Sequence, residues 1–110
     1  MVFNYGIPSD IPLVGDWDGD GADTVGIYRS GMFFLKNSNA GGNADLVFGY
    51  GLSTDTPLIG DWNGDGTDTV GIYRSGNFFL RNSNTGGNAD LVFGYGLPTD
   101  TPLIGDWDVL

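Results

Sequence analysis

The chain repeats itself. The segment that starts at Phe3 starts again at Phe48 and a third time at Phe93, and residues 3–47 differ from residues 48–92 at 11 of 45 aligned positions. A period of this size marks architectures in which one unit cannot bury its own apolar face and relies on its neighbours. The third copy covers residues 93–110 alone. The 110 residues therefore read as two full units with pieces of others, rather than as one ordinary small domain.

Composition narrows the fold class. All 14 acidic residues are Asp, there are 20 Gly, and Glu, Gln, His and Cys are absent. Asp and Gly fill turns and ligand loops, whereas Glu and Gln fill helices, so the chain reads as all-β. Each copy offers four strand candidates separated by turn residues. They are 13–17, Thr24–Arg29, 32–36 and 44–50 in the first copy, and 58–62, Thr69–Arg74, 77–81 and 89–95 in the second. Ser30-Gly31 and Ser75-Gly76 read as tight hairpin turns. Four antiparallel strands in about 45 residues is the size of one β-propeller blade. A β-solenoid is the rival, although its coils are usually shorter.

The expected organisation is thus tandem four-stranded blades that leave the ring incomplete: 1–10 as the last strand of a blade, 11–55 as blade 1, 56–100 as blade 2, and 101–110 as the first strand of a third. Within it, Val2-Phe3-Asn4-Tyr5 is expected as a fourth strand and 103–107 as a first strand. Open blade faces and unpaired edges invite association, so a homo-oligomer or filament through blade edges is expected.

The turn after the first strand carries the chemistry. It reads Asp16-Trp17-Asp18-Gly19-Asp20-Gly21-Ala22-Asp23-Thr24, then Asp61-Trp62-Asn63-Gly64-Asp65-Gly66-Thr67-Asp68-Thr69. Oxygen side chains stand at positions 1, 3 and 5, with Gly at 6. Ca²⁺ takes six to eight hard oxygen ligands, and such a loop wraps three of them around one point. The carbonyl of Ala22 or Thr67 is the natural fourth ligand, and Asp23 or Thr24, Asp68 or Thr69, would close the site with water. Magnesium, or no metal with the carboxylates capping backbone N–H groups, are the alternatives. The loop is not an EF-hand, since Ile27 and Ile72 occupy position 12.

These residues resemble the FG-GAP/VCBS-type repeats, the blades of integrin-α-like calcium-binding propellers. The matching pieces are Phe48-Gly49-Tyr50-Gly51, the run from Pro57 to Gly66, and Thr69-Val70-Gly71-Ile72-Tyr73-Arg74. The resemblance implies that Asp16, Asp18 and Asp20, with Asp61, Asn63 and Asp65, ligate calcium between the first two strands of a blade. It also implies an extracellular or cell-surface setting. In that family the last acidic ligand often stands at position 9; here position 9 is Thr24 or Thr69 and the Asp stands at 8.

Other function classes fit less well. A net charge of −10 opposes binding to nucleic acid. No apolar run approaches the roughly 18 residues of a membrane span, and the start has neither the basic nor the apolar region of a signal peptide. Without His or Cys, the Asp cluster has a better use as metal ligands than in catalysis, so the chain reads as non-enzymatic. Trp17, Trp62 and Trp107 at loop position 2 serve either as packing between blades or as ligand contacts. The second use belongs to an alternative function, a lectin-type propeller with glycan sites between blades involving Trp62, Tyr50, Tyr73 or the Asn-rich loops. A protein ligand is the other partner expected. Arg29 and Arg74 are expected to pair with nearby Asp.

Overall fold

The computed structural model describes residues 2, 4–96 and 102. Eight strands follow in order: β1 (Ile11–Gly15), β2 (Thr24–Arg29), β3 (Met32–Leu35), β4 (Leu46–Gly49), β5 (Thr56–Gly60), β6 (Thr69–Arg74), β7 (Asn77–Leu80) and β8 (Leu91–Gly94). They form two four-stranded antiparallel sheets, β1-β2-β3-β4 and β5-β6-β7-β8. No helix occurs among the described residues.

The local chemistry explains each sheet. Ser30 and Gly31 both have positive φ, 51° and 83°, as do Ser75 and Gly76 at 51° and 85°. Two successive positive φ values define the hairpin turn whose twist matches that of its strands, here joining β2 to β3 and β6 to β7. The registers are equivalent: Ile27 faces Phe34 as Ile72 faces Phe79. Pro12 and Pro57 lie in β1 and β5, the edge strands, where a missing N–H donor is tolerated.

The first strand of each sheet begins and ends two residues before the span expected from sequence, Ile11–Gly15 rather than 13–17. Asp16 leaves the ladder because its carboxylate bonds the loop that follows, and Trp17 turns its indole N–H back onto the Val25 carbonyl at 3.3 Å. The fourth strand is shorter than expected, Leu46–Gly49, because Asp45 uses its side chain to bond the amide of Asn37. Asn4 and Tyr5, expected in a strand, belong to none. The Asn4 carbonyl instead abuts Gly41, as the Gly49 carbonyl abuts Gly86. The expected strand at 103–107, with Trp107, lies outside the described residues.

The sheets stack, and one core joins them. Leu13, Trp17, Tyr28, Phe33 and Leu35 of the first sheet pack with Val70 and Ile72 of the second, and with Tyr50 from the connection. Val70 and Ile72 of β6 are buried by this contact, while Tyr73 is buried within its own sheet by Leu58, Phe78 and Leu80, so that every residue from Thr69 to Tyr73 lies inside. Gly26 makes room on its own sheet for two of these side chains: a Cβ there would lie 2.7 Å from Leu35 Cδ2 and 3.4 Å from the Trp17 ring. Aromatic pairs run across each sheet, Tyr28–Phe33–Phe48 and Tyr73–Phe78–Phe93, with centroids 4.6 to 5.4 Å apart.

Each sheet is also fastened to the segment before it. Asp10 accepts a bidentate pair of bonds from Arg29, both at 2.7 Å, and Asp55 does the same for Arg74 at 2.8 Å. The arginines lie over the rings of Phe34 and Phe79.

Candidate metal centre

The β1–β2 connection closes around its own carboxylates. Asp16 Oδ1 accepts from the amides of Gly19 and Asp20 at 2.9 and 3.1 Å, and Oδ2 accepts from Gly21 at 2.8 Å. Asp18 accepts from Asp20 N–H, and Asp20 from Ala22 N–H. Each is an Asx-turn, a side chain bonding its own backbone two residues on. Gly19 and Gly21 have φ of 74° and 89°, so the tight path uses glycine where other residues would be strained.

Carboxylate oxygens of Asp16, Asp18 and Asp20 converge to within 4.8 Å of one another, with Asp16 buried and the other two exposed. Their proton affinities split. Burial would raise the Asp16 carboxyl, but amides of Gly21, Gly19 and Asp20, with the Asp18 side chain, hold it below its ordinary value. Asp18 moves up, through desolvation and then through the neighbouring carboxylates of Asp20 and Asp16. Asp16 is favoured as an anion by the amides around it, while Asp20 repels the charge on Asp18. A divalent cation would relieve that repulsion, and the donor set is the hard oxygen that calcium prefers.

The β5–β6 connection has the same turns. Asp61 accepts from Asp65 and Gly66, Asn63 from Asp65, and Asp65 from Thr67. The Gly66 amide is the main cause that lowers the Asp61 carboxyl. Asn63 supplies a neutral oxygen where Asp18 supplies a charged one.

The remaining expected ligands are placed elsewhere or at the margin. Ala22 and Thr67 close their turns, their amides bonded as above. Thr24 is buried and gives its hydroxyl to the Lys36 carbonyl at 2.6 Å, and Thr69 does the same to Arg81 at 2.7 Å. Asp23 is exposed. Asp68 reaches across the stack: its Oδ2 accepts from the amide of Asp16 at 2.9 Å, and its own amide donates to the Asp16 carbonyl at 2.8 Å. Asn84 donates to the Asp68 carbonyl at 3.0 Å and to Trp17 at 3.5 Å. Reading the sequence did not find this connection. Its one signal was an Asp displaced to position 8 in both copies.

Trp17 is 3% exposed and covers Gly15 and Gly26. Trp62 is half-buried and donates to the Val70 carbonyl. Away from the loops, an open cavity of about 520 Å³ lies between the sheets, with Tyr50, Arg74, Phe79 and Asn88 among its lining. The residues 45 positions earlier, Tyr5, Arg29, Phe34 and Asn43, line a second of about 300 Å³.

No family model, no curated protein and no solved structure matches this chain.

Proposed function

We propose that the chain is a non-catalytic calcium-binding repeat module whose sheets are β-propeller blades of the FG-GAP/VCBS type. It serves as a structural or adhesive element outside the cell and associates with further copies of itself through blade edges. The observation that carries this reading is the convergence of the Asp16, Asp18 and Asp20 carboxylates in a loop already shaped by its own Asx-turns. Asp16, Asp18 and Asp20, with the Ala22 carbonyl, hold the first ion. Asp61, Asn63 and Asp65, with the Thr67 carbonyl, hold the second. The ions supply charge neutralisation, and the loops are stiffened rather than made reactive.

Calorimetric titration of the metal-free chain with calcium tests the proposal. Two ions bound per chain, a rise in melting temperature, and loss of one ion in each of Asp20→Ala and Asp65→Ala are expected. Absence of binding at millimolar calcium ends the reading. Light scattering of the same samples reports self-association; a monomer in calcium and in chelator alike removes the assembly part alone.

A second reading, a glycan-binding propeller, is favoured by the cavity between the sheets, by its counterpart between the N-terminal segment and the first sheet, and by the Tyr50 hydroxyl, which is buried and has no hydrogen-bond partner among the described residues. Binding on a glycan array that is lost in Asn88→Ala, with folding intact, would establish it.

A further inference from the structure

Asp16 belongs at once to the candidate ion loop and to the contact between the sheets. Its carboxylate cradles the amides of the loop, while its backbone N–H and C=O are both bonded by Asp68 of the second sheet. The contact is reinforced on either side. Asn84 ties Asp68 to Trp17, and Gly19 packs so closely that a Cβ on it would lie 2.6 Å from Thr67 Oγ1. The second loop has the same internal turns and a different setting. Asp61 is exposed, and among the described residues none bonds its backbone as Asp68 bonds that of Asp16.

We infer that Asp68 is a positioning residue for the first loop, so that cation binding at 16–22 and docking of the two sheets form one linked equilibrium. The inference rests on the calcium reading and concerns how that site is regulated. Holding Asp16 in place before the ion arrives removes an ordering cost from binding. Linkage is reciprocal, so the ion must then tighten the sheet contact by the same factor. The first loop becomes the tighter of two sites for a reason that lies in its neighbour as well as in its ligands.

Calorimetric titration of the full chain with calcium, paired with hydrogen exchange at the Asp16 and Asp68 amides, tests this. In the wild type, two classes of site are expected, with exchange at the Asp68 amide slowed by calcium. Asp68→Ala should weaken the tighter class by about tenfold and spare the weaker one. Asp68→Asn, which keeps an acceptor oxygen but no charge, should restore it. If Asp68→Ala does not fold, Asn84→Ala loosens the same contact more gently and should weaken the tighter class by about threefold. Wild-type affinity in Asp68→Ala or Asn84→Ala overturns the inference and leaves calcium binding standing. So does failure of Asp68→Asn to rescue. No calcium bound by the wild type overturns both.

Discussion

The Tyr28 hydroxyl donates to the Leu52 carbonyl at 2.6 Å, tying the second strand of the first sheet to the segment that leads into the second. Burial, followed by the charge of Asp55, pushes its pKa up to about 12. An unfolded tyrosine ionises near 10. Between those values the unfolded chain loses its proton while the folded one keeps it, so stability present below pH 10 falls as the pH rises. The expected slope is about 1.4 kcal/mol per pH unit, read from denaturant midpoints across that window. Tyr28→Phe should cost about 1 kcal/mol at pH 8, the worth of one hydrogen bond, since the Leu52 carbonyl keeps the bond from the Asp55 amide, and should flatten the alkaline limb.

Asp10 and Asp55 share the acid limb with the loop carboxyls of Asp16 and Asp61. Hydrogen bonds from Arg29 are the main cause that lowers Asp10; at Asp55, burial pulls upward and Arg74 with the Leu52 amide overcome it. Folded values below the unfolded one stabilise the chain above about pH 4, and that stability is lost as the pH falls through the folded values. Arg74→Met keeps the stem over Phe79 but leaves an Asp55 side chain that is 1% exposed without its partner. With Arg74 itself 39% exposed, the cost should be about 2 kcal/mol rather than the full penalty of a buried pair. Acid unfolding should then begin at higher pH.

Gly26→Ala and Gly71→Ala should each destabilise by about 1–3 kcal/mol, because the new methyl comes within 2.7 Å of Leu35 or Leu80 on the adjacent strand, and that buried side chain must shift. Gly21→Ala, where nothing lies within 4 Å, should cost about 1–2 kcal/mol through its φ of 89° alone. Chemical denaturation of the three variants separates crowding from backbone strain.

Ser30 and Ser75 hold a left-handed φ of 51° without being glycine. Asparagine tolerates that conformation better, and Asn-Gly is the preferred pair for this turn. Ser30→Asn and Ser75→Asn should each raise stability by about 0.5 kcal/mol, an effect that thermal melts of single and double variants resolve and that should add.

What could be read from the sequence follows from how local its causes are. The strand Thr24–Arg29 is legible end to end, because an Asp-Gly loop precedes it and Ser30-Gly31 follows it. The hairpin turns and the converging carboxylates are likewise written within a few residues. The boundary at Asp16 is not: apolar alternation continues through Trp17, and only the bonds from Gly19 and Gly21 show that the ladder has ended. Asp68 is harder still. At position 8 it looks like one more ligand of its own loop, whereas its carboxylate serves a residue 52 positions earlier. Nothing in local pattern encodes that distance; it emerges from the offset at which one sheet lies on the next. Tyr28 and Leu52, 24 residues apart, were hidden for the same reason.

The direction of that Asp16–Asp68 contact sets an order in time. During synthesis Asp16 leaves the ribosome well before its partner, and 52 more residues must follow before the contact can close. The turns inside the first loop can close as soon as residue 22 has emerged, whereas the two bonds on the Asp16 backbone wait for the second sheet, so the loop takes its shape early and its anchorage late.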